Sequence, residues 1–207
     1  MIAVDGPAAS GKGTIARALA KHFGLPHMDT GLLYRAVALN LWRWGGDPGN
    51  EFEALRACHE LNLNPDDSEL RSEPVSKIAS VISAYPSIRA ALLKRQQDFA
   101  GRRGGAVLDG RDIGTVIAPG ADVKLFVTAS PEVRAGRRLR ELEERGMTAH
   151  FDDVLADIRA RDQRDSSRAA APLHPAADAI ILDTSALDVE QSIAEAVRLA
   201  EERLSTR

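Results

Sequence analysis

Short, continuous apolar runs alternate along this chain with longer stretches in which apolar residues recur every three or four positions. The short runs are 2–5 (IAVD), 27–29 (HMD), 106–109 (AVLD), 123–127 (VKLFV) and 179–183 (AIILD). Strands covered on both faces read in this way, without alternation. Between them, Ile15, Leu19 and Phe23, with Ala16 and Ala20 beside them, draw one face of a helix that ends at Gly24. "GLLYRAVALNLWRWGG" draws a second helix, stopped by Gly45 and Gly46, whose end Trp42 and Trp44 are expected to pack. "SIRAALLKRQQDFAG" is amphipathic, and helical patterns follow over 131–146, roughly 150–164, and 189–204. Residues 47–76 are polar and broken by Pro48, Pro65 and Pro74, which predicts a loosely organised insertion with one helix near 51–61. The Ala-rich stretch 166–178 reads as a connection into the last strand. Strands alternating with helices predict an α/β fold with a five-stranded parallel sheet flanked by helices.

Bulk composition narrows the function classes. The 207 residues fit one domain with inserted subdomains, and 44% hydrophobic content supports a buried core. A net charge of −3 and only 4% aromatics argue against a general nucleic-acid binder or a base-stacking platform. A single cysteine, Cys58, excludes an internal disulfide framework and suits a reducing compartment. No apolar run approaches the roughly 20 residues of a membrane span. The immediate entry into a strand leaves no room for a leader, so a soluble, cytoplasmic protein is expected. The five histidines (22, 27, 59, 150, 174) are scattered without metal-ligand spacing and are assigned no chemistry.

The first strand runs directly into "GPAASGKGT", Gly6 to Thr14. Gly6, Gly11 and Lys12 match the phosphate-binding pattern G-x-x-x-x-G-K between a strand and a helix, which points to a P-loop NTPase fold. Glycines let successive N–H groups turn toward one anion, the helix N-terminus adds positive potential, and Lys12 supplies a point charge. The whole segment Gly6, Pro7, Ala8, Ala9, Ser10, Gly11, Lys12, Gly13, Thr14 is therefore expected to hold the phosphates of ATP. A tight turn without ligand is the alternative. A chance match has a probability on the order of one in a thousand, given ordinary glycine frequency. Gly13 stands where the pattern wants a hydroxyl. Mg²⁺ is then expected to be held through phosphate, water, Thr14 and Asp109, the acid ending "AVLD"; for Asp109 a turn cap is the alternative.

Arginines concentrate in "VRAGRRLRELEERG" (133–146) and "IRARDQRDSSR" (158–168), between the fourth and fifth strands. Arg134 with Arg138, and Arg161 with Arg164, share helix faces. Pairing with Glu and Asp on solvated helices accounts for part of this run; a lid over ATP accounts for the rest. Along nearly its whole length the chain resembles bacterial cytidylate kinase, of the P-loop nucleoside-monophosphate kinases. The resemblance rests on "DGPAASGKGT", "MDTGLLYR", "DGRDIGTV", "RDQRDSSR" and "APLHPAADAIILDTS", in that order. It implies transfer of the γ-phosphoryl group of ATP to CMP, and to dCMP. In the implied site Thr30, Tyr34, Arg35, Ser80, Arg89, Arg111, Asp112, Asp165 and Arg168 bind CMP. Arg35 and Arg111 would take the acceptor phosphate, and Ser80, Arg89 and Asp112 the cytosine. Asp165 and Arg168 would take the sugar. Lys12, Arg111 and Arg161 would act on the transferred group, with Arg134 and Arg138 on ATP. Structural alternatives stand beside these: a core ring for Tyr34, a loop salt bridge for Arg111, an ordinary helix residue for Ser80.

The division that follows is a nucleotide-binding core (1–32, 86–133 and 165–207), a shortened monophosphate-binding insertion (33–85) and a lid (134–164). Repulsion among its arginines is expected to hold the lid open until phosphate arrives. Asp112 is expected in a loop outside the core. Nucleotides are the expected partners, with no nucleic acid or membrane, and the working unit a monomer. The rivals are a kinase for UMP or AMP, a non-catalytic P-loop protein and an RNA-binding ATPase. The absence of any Asn-Lys pair weighs against a GTP switch.

Overall fold

A computed structural model describes residues 1–61 and 68–206. Its centre is a parallel sheet of β1 (Ile2–Asp5), β2 (His27–Asp29), β3 (Val107–Gly110), β4 (Val123–Thr128) and β5 (Ile180–Asp183). The strand order is β2-β3-β1-β4-β5, so the strand that leads into the glycine loop lies at the middle. The register places Asp5 opposite Gly110 and Phe126, and Asp29 opposite Asp109.

Alternating side chains of β1 explain why the sheet is covered twice. Ile2 and Val4 pack with Ile15, Ala16 and Leu19 of α1 (Lys12–Phe23) and with Ala196 and Ala200 of α8 (Val189–Ser205). Ala3 faces the other way, against Leu108, Ile113, Ile117 and Phe99. Phe99 belongs to α5 (Pro86–Ala100), whereas Ile113 and Ile117 bound a π-helical turn after β3.

The region expected to be loosely organised is helical. After α2 (Thr30–Arg43) come α3 (Glu51–His59), a 3₁₀ turn Ser68–Arg71 and α4 (Glu73–Ile82). These elements and α5 share an apolar cluster that includes Val37, Leu41, Ala54, Val75, Ile82 and Leu92. The Pro65 break lies outside the described residues. Pro74 does not break a helix: it sits in the first turn of α4, where its missing N–H costs nothing. Trp42 and Trp44 do not pack under the end of α2; they are 42% and 46% exposed, with the Arg56 guanidinium of α3 5.4 Å from the Trp44 ring centre.

Between β4 and β5, α6 (Pro131–Glu144) and α7 (Phe151–Ser167) form a hairpin closed on Ala135, Leu142 and Val154. Among the described residues no helix is long and apolar enough to cross a membrane.

Candidate active site

The chain leaves β1 and enters the glycine loop where it crosses β4. A Cβ on Gly6 would lie 2.0 Å from the Val127 carbonyl oxygen, so only glycine fits. Ala9 (φ 57°) and Gly11 (φ 89°) take left-handed backbone, the kind of turn that aims N–H groups into a concavity. Gly11 caps α1 without a side-chain hydrogen bond, and the first turn of α1 carries no acid. The helix thus presents uncapped donors and its positive end to the space above the loop.

That space is a cavity of about 540 Å³ lined by the loop on one side and by Arg35 and Ser80 on the other. Arg111 and Arg161 also line it. Lys12 has no hydrogen-bond or ion-pair partner among the described residues. Burial, reinforced by Arg111, pushes its ammonium down to about 7 against the pull of Asp109 and Asp29. Burial and then Arg111 likewise push Arg161 down to about 9, and its Nε is buried without a partner. Arg35, pushed down to about 10 by burial, donates to the Leu70 carbonyl at 3.0 Å and to Ser76 Oγ at 2.6 Å. Cations that are desolvated together and left underpaired are costly, and the cost falls when a polyanion enters among them.

Asp109 stands at the C-terminal end of β3, 2% exposed. Its Oδ1 accepts from His27 Nε2 at 2.8 Å and its carbonyl accepts from Thr30 Oγ1 at 2.8 Å. Oδ2 lies 3.6 Å from where a Cβ of residue 13 would be. Thr14 exposes its hydroxyl beside the loop, with Arg17 Nη2 3.3 Å away. Among the described residues no group of three or more His, Cys, Asp or Glu could hold a metal alone. Asp109 Oδ2 and the Thr14 hydroxyl are hard oxygens beside a phosphate cradle. They fit an ion such as Mg²⁺, which keeps several waters and takes phosphate oxygens.

The β1–π-turn junction is fixed by Asp5. Its carboxylate accepts from the N–H of Ile113 at 2.8 Å and of Gly114 at 2.7 Å, and burial pushes it up to about 6. This clamp sets the "DGRD" turn that presents Arg111 and Asp112.

The remaining residues expected to bind the acceptor converge behind the cavity wall, several of them joined to one another. Arg89 donates to Asp112 and stands 5.6 Å over the Tyr34 ring. Arg111 Nε donates to Asp165 Oδ2 at 2.9 Å. Burial pushes the Asp165 carboxyl up, but Arg111 and Arg161 hold it below the usual carboxylate range. Arg168 Nε donates to the Ala171 carbonyl at 2.6 Å, while its Nη2 is buried without a partner. Asp112 is 5% exposed, so the expectation of a loop carboxylate outside the core is corrected: its charge is buried against Arg89. Thr30 lines neither cavity, because its hydroxyl is turned to Asp109.

The arginine hairpin is pinned at both ends. Arg134, expected on ATP, instead donates through Nε to the Ala129 carbonyl, through Nη1 to the Ala8 carbonyl, and through Nη1 and Nη2 to Asp162. It lines neither cavity, so that expectation is corrected to an anchor of α6 on the loop. Arg138 pairs with Glu73 of α4 and, at 2.6 Å, with Glu141. Lys77–Asp157 at 3.2 Å, Arg164 Nε to Ser80 Oγ at 3.3 Å and Arg145 to the Arg71 carbonyl at 2.9 Å join the hairpin to the same wall. Carboxylates thus offset the repulsion at Arg134, Arg138, Arg145 and Arg159, whereas Arg161 keeps an unpartnered Nε in the cavity wall.

A second cavity, about 820 Å³, opens outside the loop between α6 and the start of α8. It is lined by Gly11, Arg137, Leu187, Val189 and Ile193. Arg137 donates to the carbonyls of Ser10 at 3.3 Å and Thr184 at 2.7 Å. Sequence reasoning missed Arg137, Asp29 and His27. Helical phase distinguishes Arg137 from Arg134 only once the packing face is known. Asp29 had a readable signal, its place in "MDTGLLYR", although the register that sets it opposite Asp109 comes only from the structure. His27 had none, since its partner is 82 residues away.

Comparison with known proteins bears on what this constellation is. A family profile described as cytidylate kinase matches residues 2–202. A protein named cytidylate kinase from Methylocella silvestris is 58% identical, covering 97% of this chain and 94% of its own. One of the same name from Xanthobacter autotrophicus is 56% identical with both chains fully covered. A crystal structure of an uncharacterized protein from Eubacterium ventriosum matches with a TM-score of 0.55 at 15% identity, over 97% of each chain, and shares the fold.

Proposed function

Because the chain belongs to the cytidylate kinase family, we infer the reaction that its geometry supports best: transfer of the γ-phosphoryl group of ATP to CMP, and to dCMP. The protein is an ATP-dependent nucleoside-monophosphate kinase. The observation that carries the reading is one cavity lined by the glycine loop and Lys12 on one side and by Arg35 and Ser80 on the other, with Arg111 and Arg161 between.

In this reading the loop N–H groups and Lys12 bind the β- and γ-phosphates, and Arg35 and Arg111 bind the acceptor phosphate. Arg161 brings its unpartnered Nε to the charge that develops on the transferred group. Such catalysis is mainly positioning and charge neutralisation. Asp109 and Thr14 supply the oxygens that would hold the water shell of Mg²⁺ arriving with ATP, which would add positive charge at the outer phosphates. The second cavity takes the adenosine of ATP, with Arg137 and Arg138 at its edge. Residues 134–164 act as the lid and 33–85 as the acceptor-binding insertion. A free, buried Cys58 supports a reducing, cytoplasmic setting.

Cytosine N4–H₂ donates where uracil O4 only accepts, and a carboxylate suits the donor. Asp112 would read it, with Arg89 donating to the O2 and N3 acceptors after the present Arg89–Asp112 pair rearranges. The test is ADP release from ATP and Mg²⁺ with CMP, dCMP, UMP and AMP in turn. CMP and dCMP should lead. Asp112→Asn, which keeps the volume and leaves Arg89 an oxygen acceptor, should shrink the CMP/UMP ratio in kcat/KM by at least ~10-fold, within the range a hydrogen-bonding site can discriminate. A preference for UMP or AMP, or an unchanged ratio, would overturn the base assignment.

A further inference from the structure

We infer that His27 is a positioning residue for Asp109: it holds one carboxylate oxygen so that the other faces the backbone at Gly13, where this loop lacks the hydroxyl of the general P-loop pattern. The inference rests on the reading of Asp109 as the holder of metal-bound water.

Three observations carry it. The first is the pair itself, His27 Nε2 to Asp109 Oδ1 at 2.8 Å, with the histidine side chain 18% and the aspartate 3% exposed. An ionised carboxylate only accepts, so the imidazole donates, and Nε2 carries the proton. The second is what the pair leaves free. Asp109 Oδ2 lies 3.6 Å from the Cβ position that residue 13 would have, on the cavity side of the strand. A serine or threonine at 13 would place its hydroxyl there beside the carboxylate. With glycine there, the carboxylate alone supplies oxygen at that point, and its orientation decides where. The third is that, among the described residues, no other hydrogen bond fixes that carboxylate: Thr30 Oγ1 donates to the main-chain carbonyl instead, and Lys12, which lines the cavity, attracts the carboxylate without a hydrogen bond. His27 lies opposite Val107 in the β2–β3 ladder, two residues before the Asp29–Asp109 pair, so its side chain leans along the same face. The repulsive neighbour, Asp29, also lines the cavity. Without the histidine, Asp109 would be free to turn away from it and from Gly13.

A histidine that merely pins two strands would influence stability alone. One that orients a carboxylate toward a metal's water shell influences metal affinity, by about 10- to 100-fold where such outer partners have been removed. The experiment is calorimetric titration of Mg²⁺ into the complex of the full-length protein with a non-hydrolysable ATP analogue, alongside CMP binding without metal and thermal unfolding. His27→Phe and His27→Leu remove the donor at two different volumes; His27→Gln returns an N–H at nearly the same reach. We expect Mg²⁺ affinity to fall about 10-fold in the first two and to return to within about 3-fold of wild type in the third, with CMP affinity unchanged in all. Wild-type Mg²⁺ affinity in whichever donor-less variant folds, or a lower melting temperature with no change in metal binding, overturns the proposal and leaves the pair a strand pin. Analogue binding by the wild type that is indifferent to Mg²⁺ removes the Asp109 metal assignment itself.

Discussion

Lys12 is the residue in which burial and function are most directly opposed. A buried ammonium pushed down to about 7 is largely neutral in the free protein at pH 8, and it must regain its proton when phosphate arrives. Nucleotide binding at pH 8 should therefore take up close to one proton, and ATP affinity should fall as pH rises above 7. Calorimetry in buffers of different ionisation enthalpy measures this directly, and Lys12→Met should abolish it. Heat independent of buffer in the wild type would mean that the ammonium stays charged throughout. The same shift acts on stability in the opposite sense. Between about 7 and the ordinary lysine range the unfolded chain binds a proton that the native state lacks, so this residue favours folding more as pH rises through that window. Lys12→Ala should lower kcat by ~10²–10³ with little loss of stability, because the charge it supplies is needed in the transition state. The loop itself was readable because its pattern is local, with every critical position within nine residues of the next. Arg134 and His27 were not, because what they do depends on partners brought up by packing, Asp162 and the Ala8 carbonyl for one and Asp109 for the other.

At the scale of elements, the hairpin α6–α7 meets α4 through the Arg138–Glu73 salt bridge, which in the proposed reading phosphate displaces. Arg138 lines the cavity while paired with Glu73 and Glu141. The carboxylates occupy a cation that the proposed reading places on ATP. Half-exposed pairs of this kind contribute roughly 0–1 kcal/mol, so Glu73→Gln should tighten ATP binding about 2- to 5-fold by freeing Arg138. An unchanged or weaker affinity by equilibrium titration would show that Arg138 keeps its partner when nucleotide binds. The strands were legible because a sheet covered on both faces leaves continuous apolar runs, as in "IAVD" and "VKLFV". α4 was not, because Pro74 reads as a breaker until it is recognised as a first-turn residue. Val75, Ala79 and Ile82 then give the helical spacing that buries one face. Asp112 was misjudged for a related reason: a turn between strand and helix looks exposed in sequence, and here α5 brings Arg89 over it.

The whole molecule sets Lys12, Arg35, Arg111, Arg138 and Arg161 around one enclosure whose walls come from distant parts of the chain. Because the hairpin is tied to α4 by Lys77–Asp157 and Arg164–Ser80 and to the 3₁₀ turn before it by Arg145–Arg71, the two walls should open and close together. Hydrogen exchange should slow across 134–164 and across α4 in parallel when a bisubstrate analogue fills the cavity, and closure of this kind keeps water from competing for the phosphoryl group. Protection confined to the glycine loop, with both walls exchanging as in the free protein, would rule out coupled closure. Arg134 limits how far such movement can extend, since it fastens the root of α6 to the Ala8 carbonyl.

The exposed pair Trp42 and Trp44 gives this motion an optical consequence. The sequence contains no other tryptophan, and both indoles stand at the far end of the helix that carries Tyr34 and Arg35. Arg56 approaches the Trp44 ring from α3, so a small slide of one helix past the other changes the charge next to the chromophore. Intrinsic emission of the unlabelled protein is thus a private signal from the acceptor wall. It is silent to events confined to the glycine loop and available in a stopped-flow cell without any introduced dye.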